Sequence, residues 1–203
     1  MITVIDYGMG NLGSIQNMLK KIGVPACISS SPEEILAAEK LILPGVGSFD
    51  HGMASLASRS LLDPLNEAVL RRGRPILGIC LGMQLMTRRS EEGQAPGLGW
   101  IDADVVRFDI AGSGLRVPHM GWNQVSLQRP DPLFDGIGAQ TRYYFVHSYH
   151  VCCRNRDDVV TATTHGLEFV SSFQHGNIFG VQFHPEKSHK FGMKLLENFS
   201  RVF

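Results

Sequence analysis

Pro75-Ile76-Leu77-Gly78-Ile79-Cys80-Leu81-Gly82-Met83-Gln84 starts as a short apolar run and turns into a helical pattern at a cysteine with glycine two residues to either side. An unbroken apolar run of this length marks a strand buried on both faces, as parallel sheets require. The two glycines let the chain turn sharply, giving the G-x-nucleophile-x-G pattern of a nucleophile elbow at the carboxyl edge of such a sheet. Outward from it, residues 2–5 and 41–43 are further buried-strand runs, closed by Asp6-Tyr7-Gly8 and by Pro44-Gly45-Val46-Gly47. Between them Leu12, Ile15, Met18, Leu19 and Ile22 recur at helical spacing and stop at Gly23. Ser31-Pro32-Glu33-Glu34 opens a second helix, with a Ser cap, Pro at the first position and Glu34 three residues on. Residues 61–72 read as a third. Strands alternating with helices predict a mostly parallel central sheet flanked by helices.

The second half is richer in strands. Residues 105–108, 143–146, 159–164, 168–173 and 178–183 fit strand patterns, with Gln174-His175-Gly176-Asn177 joining the last two as a hairpin. An amphipathic helix is expected over 188–199. These segments predict an antiparallel β extension, and residues 1–203 read as a single α/β domain.

Composition removes several functions. Hydrophobic residues make up 43% of the 203 and charged residues 19%, so a packed core is expected rather than disorder. Lys+Arg and Asp+Glu are both 19, which leaves no global basic field for nucleic acid or an anionic membrane surface. The first residues lack the basic start and long apolar core of a secretory signal. The 4 cysteines form no CxxC pair, and Cys152-Cys153 is a poor frame for zinc or a disulfide. These features suit a cytoplasmic protein with free thiols.

Most free cysteines are buried structural residues. The paired glycines set Cys80 apart: at a helix start its thiolate faces the positive end of the helix dipole. A thiolate nucleophile needs an imidazole. Of 8 histidines, His184 is best placed, in Gly180-Val181-Gln182-Phe183-His184-Pro185-Glu186 at the end of the last strand. Glu186, two residues on, points to the same side in extended chain and orients the ring, although Pro185 disturbs the local geometry. Oxyanion donors are expected from the backbone of Leu81 and of the Gly45-Val46-Gly47 loop. The chemistry requires no cofactor or metal, and no ligand cluster in the sequence asks for one.

The pieces Pro44-Gly45-Val46-Gly47, Gly78-Ile79-Cys80-Leu81-Gly82-Met83-Gln84 and His184-Pro185-Glu186, in this order, resemble the class I (triad) glutamine amidotransferases along essentially the whole chain. The resemblance implies that Cys80 attacks the side-chain amide of L-glutamine, that ammonia leaves, and that water releases glutamate from a thioester. It implies further that Gln84 and Glu92 contact the substrate and that His147, Ser148 and Tyr149 line its pocket, His147 being either a pocket residue or a satisfied buried histidine.

Asp6-Tyr7-Gly8-Met9-Gly10-Asn11-Leu12, Pro118-His119-Met120-Gly121-Trp122-Asn123 and Tyr143-Tyr144-Phe145-Val146-His147-Ser148-Tyr149 resemble one branch of that family, the glutaminase subunits of imidazole glycerol phosphate synthases. That branch implies a heterodimer with a (β/α)8-barrel cyclase in histidine biosynthesis, and a free subunit that is nearly inactive. His119, Met120, Trp122 and Asn123 form an aromatic, polarisable patch suited to a protein interface or to core packing, and Asn11 is expected at the partner or at the Pro44–Gly47 loop. Gly45 and Gly47 permit a peptide flip around Val46. Two other readings stay open: a paralogue that supplies ammonia for an amidine on a surface-polysaccharide sugar, and a general cysteine hydrolase of this fold group.

Overall fold

The apolar runs of the first half become adjacent parallel strands. In a computed structural model, which describes residues 1–138 and 140–202, β1 (Ile2–Ile5) is flanked by β2 (Ala26–Ser29) and β3 (Lys40–Leu43), and β3 pairs with β4 (Ile76–Ile79). Helices α1 (Leu12–Lys21), α2 (Pro32–Ala37), α3 (Phe49–Ser58) and α4 (Leu62–Asn66) connect them. The Ser31 hydroxyl accepts from the Glu34 amide at 3.3 Å, with Pro32 in the first turn, so the start of α2 lies where its capping pattern predicts. A short helix α5 (Leu81–Leu85) follows the elbow.

The remaining strands are β5 (Arg89–Ser90), β6 (Ala103–Arg107), β7 (His119–Gln124), β8 (Ser126–Leu127), β9 (Arg142–His147), β10 (Tyr149–Cys153), β11 (Val159–His165), β12 (Leu167–His175) and β13 (Ile178–Val181). The main sheet runs β2-β1-β3-β4-β13-β12-β10-β6-β5, with β11 on β12 and β8 on β11; β7 and β9 form a separate antiparallel pair. The sheet is parallel from β2 to β13 and mainly antiparallel beyond, as the sequence predicts. Alternate residues feed two cores. Ile5, Phe49, Leu81 and Met83 lie on one face, whereas Ile2, Val4, Ile15, Leu77, Phe179 and Phe199 lie on the other, under α1 and α6 (His189–Arg201).

Several details differ from the sequence reading. Residues 61–72 are not one α-helix: α4 passes into a π-helical stretch Glu67–Arg71, closed by the Arg72 amide on the Glu67 carbonyl at 3.0 Å. The Asn177 amide donates to the Val69 and Arg74 carbonyls there, at 2.9 and 2.8 Å. The last strand stops at Val181 rather than Phe183: Gln182 N still donates to Ser171 O on β12 at 2.9 Å, but the chain then changes partners and His184 N donates to Tyr144 O on β9 at 2.9 Å. Strands β2, β7 and β10, the two-residue strands β5 and β8, and helix α3 go unread in the sequence.

The elbow needs its glycines for packing. A Cβ on Gly82 would overlap the Leu43 carbonyl oxygen, and one on Gly78 would lie 2.8 Å from the Met83 backbone. Gly82→Ala therefore forces β3 and the elbow apart. Overpacking of this kind costs about 2–3 kcal/mol, and we expect a melting temperature lower by roughly 5–10 °C for a domain of this size. An unchanged melting temperature in a thermal scan would show that the strand gives way freely.

Candidate active site

Between β4 and α5, Cys80 adopts φ 54° and ψ −110°, a left-handed conformation rare for a residue with a side chain. Such backbone costs of the order of 1–3 kcal/mol and persists only where its surroundings fix it. Here the Cys80 amide donates to Val181 O at 2.8 Å, and Gly78 and Gly82 bring the turn against β3 and α5. Only 5 residues of helix follow, so the dipole expected to favour a thiolate is a short one.

The nearby imidazole is His184. It is 1% exposed, and its Nδ1 lies 2.7 Å from Oε1 of Glu186, whose side chain is also buried. Residues Pro185–Lys187 form a 3-10 turn, not the extended chain assumed from sequence, and the turn still returns the carboxylate to the ring. Ser188 anchors it, donating from its hydroxyl to His184 O at 2.6 Å and accepting from Tyr144 N at 3.0 Å. Burial acts to lower the imidazole pKa. The nearby sulfur of Cys80, and the Glu186 carboxylate with its hydrogen bond to Nδ1, outweigh it and raise the pKa to about 10. His184 Nε2 and Glu186 Oε2 are buried with no hydrogen-bond partner among the described residues.

Cys80 and His184 share a cleft of about 360 Å³ with Val46, Gly47, Leu81, Gln84, Glu92, His147, Ser148 and Tyr149, so nearly every residue expected at the substrate is brought together. Pro118 and Val146 complete the wall. Gly45 lies behind it: a Cβ there would meet the Tyr7 hydroxyl at 2.6 Å and Gly82 N at 2.9 Å. Tyr7, fully buried, donates to the Pro44 carbonyl at 2.6 Å and braces the Pro44–Gly47 loop. Its hydroxyl pKa is pushed up, chiefly by burial and then by the charge of Cys80. A larger cleft of about 550 Å³ beside Asn123–Leu127 and Thr161–Thr164 is lined by no thiol or imidazole.

The polar residues divide their tasks. Gln84 donates from Nε2 to Tyr149 O at 3.1 Å and to Gln182 Oε1 at 3.0 Å. Glu92 accepts from Phe49 N at 2.9 Å through Oε2, capping α3 where the Ser48 side chain makes no cap bond, so one of its oxygens is already engaged. Both ring nitrogens of His147 are occupied, Nδ1 by Tyr149 O at 2.8 Å and Nε2 by His119 Nδ1 at 3.0 Å, which favours the satisfied-histidine reading. Gln182, fully buried, belongs to no motif that the sequence displays; its Nε2 makes a long 3.8 Å contact to Cys80 Sγ. Its one signal is the strand alternation that puts Gln182 and His184 on one side.

The expected interface residues separate by face. On β7, Met120 is 63% and Trp122 42% exposed. Trp122 stacks on His189 with ring centroids 5.6 Å apart, under the Arg142 guanidinium at 5.8 Å. His119 does not belong to this surface: it is buried, because alternation turns it and Asn123 inward. Asn123 donates to Thr164 O at 2.9 Å. Asn11 is exposed and caps α1, accepting from Ser14 N at 3.4 Å; it is Gly10, whose Cβ would sit 3.4 Å from Gly45 N, that abuts the Pro44–Gly47 loop.

Residues 3–202 match the model of the family described as glutamine amidotransferase class-I. The chain is 53% identical over 199 residues to imidazole glycerol phosphate synthase subunit HisH 2 of Pseudomonas aeruginosa, covering 98% of each chain. It is 50% identical over 202 residues to imidazole glycerol phosphate synthase subunit HisH of Moorella thermoacetica, covering 99% of this chain and 94% of the relative. The structure of PurLQS from Thermotoga maritima shares the fold, with a TM-score of 0.72 at 18% identity over 98% of this chain and 96% of its own.

A raised imidazole pKa gives stability that is complete below the ordinary histidine range and fades as pH rises toward about 10. Nitrogen-15 NMR of the wild type should show His184 protonated at pH 8, and Cys80→Ala should bring its titration down. Glu186→Gln should lower stability most at pH 6–7, with the deficit shrinking as pH rises from there toward about 10. A His184 that titrates in the ordinary range in the wild type would remove the ion pair from the site.

Proposed function

The chain belongs to the class I glutamine amidotransferase family, and from that premise we infer that it is the glutaminase subunit of an imidazole glycerol phosphate synthase, releasing ammonia from L-glutamine for histidine biosynthesis. The observation that carries this reading is the strained Cys80 sharing one cleft with a buried His184–Glu186 pair.

In this mechanism the Cys80 sulfur attacks the side-chain carboxamide carbon of glutamine. The tetrahedral oxyanion is met by the Leu81 amide and by an amide of the Gly45-Val46-Gly47 loop, donors worth roughly 10²–10³ in rate each. Imidazolium of His184 protonates the departing nitrogen, so ammonia leaves and the acyl group stays on sulfur as a thioester. The neutral imidazole then takes a proton from water, which attacks the thioester; glutamate leaves and the sulfur regains its starting state. Glu186 holds Nδ1 throughout and so keeps Nε2 available to the reacting groups. Gln84 and Glu92 bind the amino-acid end of the substrate, and Ser148 and Tyr149 shape the pocket around it. The chain acts as one domain in this scheme.

The ammonia passes to a (β/α)8-barrel cyclase subunit docked over Met120 and Trp122. The cationic groups around that aromatic face, Arg142 and Lys187, fit an acidic rim on the partner. Histidine biosynthesis as the chain's role supports a cytoplasmic assembly; among the described residues no helix is long and apolar enough to cross a membrane.

Cys80→Ala should abolish glutamate release by the reconstituted complex while leaving synthesis from added ammonia intact. Loss of both would make Cys80 a structural residue. His184→Ala should lower glutamine turnover by about 10²–10⁴. In the same assay, turnover of a sugar acceptor to an amidine, with none of the ribonucleotide, would reassign the pathway and leave the glutaminase in place. Trp122→Ala should weaken association with the cyclase by roughly 30-fold, as for an aromatic anchor worth about 2 kcal/mol, measured by calorimetry. Unchanged affinity would place the partner elsewhere.

A further inference from the structure

Beneath the outer face of β7, a line of hydrogen bonds admits only one set of proton positions. Tyr149 O can only accept, so the 2.8 Å contact from His147 puts a proton on Nδ1 of that ring. A neutral His147 then presents a bare Nε2 to His119 Nδ1 at 3.0 Å, and His119 must donate. His119 Nε2 is left as an acceptor, and Asn123 Nδ2 fills it at 3.1 Å. The Asn123 amide is fixed in turn, since its Oδ1 accepts from Gln124 N at 2.8 Å and its nitrogen also donates to Thr164 O. Every ring nitrogen is satisfied, and a second proton on either ring would set two N–H groups against each other.

The surroundings agree with neutral rings. Both histidines are buried, among Phe108, Phe145 and Phe169. Burial, first among the causes, depresses His147 to about 3 and His119 to about 4. The chain of donors ends on Tyr149 O, and that oxygen also receives the Gln84 amide. With its nitrogen committed to Tyr149 O and to Gln182, Gln84 has its own carbonyl oxygen left for a ligand.

We propose that His147, locked in one tautomer by His119 and Asn123, is a positioning residue that aims the Tyr149 carbonyl so that it holds the Gln84 carboxamide ready for glutamine. This rests on the reading of Gln84 as a substrate contact, and the test separates the two. Asn at position 147 keeps a donor near the place of Nδ1, whereas Gln places its amide near Nε2 and leaves Tyr149 O without its donor.

Glutaminase kinetics are measured on the complex with its cyclase for Gln84→Ala, His147→Asn, His147→Gln, Asn123→Ala and the double variant Gln84→Ala/His147→Gln. The loss of one hydrogen bond of this kind corresponds to roughly tenfold. The expected result is a KM for glutamine about tenfold higher in His147→Gln, with kcat within threefold, and a KM within threefold of wild type in His147→Asn. Asn123→Ala, which leaves both rings intact, should raise KM by a few fold in the same sense. The double variant should add little to Gln84→Ala alone. Should Gln84→Ala raise KM while His147→Gln leaves it unchanged, or lowers kcat only, the positioning role is overturned and the reading of Gln84 stands. Should Gln84→Ala leave KM unchanged, that reading fails and takes the proposal with it. Nitrogen-15 NMR of the wild-type complex at pH 7 must show the Nδ1–H tautomer on both rings; an imidazolium in either overturns the lock independently of kinetics.

Discussion

The close approach of the elbow to its neighbours governs the rest of the site. Gly82 sits against the Leu43 carbonyl where no Cβ fits, and Gly78 sits against the backbone of Met83. The turn is thereby compressed between β3 and its own helix, and Cys80 is driven into a conformation that side chains avoid. The same compression brings Gly45 against Gly82 N and the Tyr7 hydroxyl, so the loop with the candidate oxyanion donors is packed on the nucleophile's own turn. Sulfur, elbow amide and glycine loop are consequences of one steric fit rather than three separate placements.

Electrostatics then decides what the sulfur meets. A carboxylate and an imidazole buried together are favourable only when their hydrogen bonds compensate for lost water. Glu186 makes one short bond to His184 and leaves Oε2 bare, and the ring leaves Nε2 bare. An unmet buried polar group costs about 1–3 kcal/mol. A site that holds two of them beside a thiol is arranged for reactivity at the expense of stability, which is where enzymes depart from the rules of a well-satisfied core.

The first half of the fold was legible because parallel strands are apolar on both faces and leave unbroken runs in the sequence. Cys80, His184 and Glu186 were legible for a related reason: their neighbours Gly78, Gly82 and Pro185 are punctuation with few other uses. What went unread lacks such marks. Strand β2 is an edge strand, only partly buried over Ala26–Ile28, and carries no apolar run. Helix α3 places Gly52 in its interior, a residue that argues against a helix locally, because Leu81 and Leu85 pack on it. The π-helical stretch depends on the Asn177 amide, a hundred residues away in the chain and invisible to local pattern. Gln182 and the Glu92 cap are likewise products of tertiary contact.

Strand β7 shows most directly why His119 parts from the exposed patch formed by its sequence neighbours. An antiparallel strand with one face in a core is expected to alternate apolar inward and polar outward. Here the order is inverted: Met120 and Trp122 point out, and His119 and Asn123 point in. An inverted strand survives only if both faces are compensated. The inner face is, through hydrogen bonds that saturate both imidazoles and the Asn123 amide. The outer face is compensated only in part, by stacking of Trp122 on His189 and by Arg142 over its ring. Met120 has no such cover and remains the most exposed large hydrophobic side chain among the described residues. The physics that keeps polar groups inside β7 therefore also turns its two large apolar side chains, Met120 and Trp122, to the outer side.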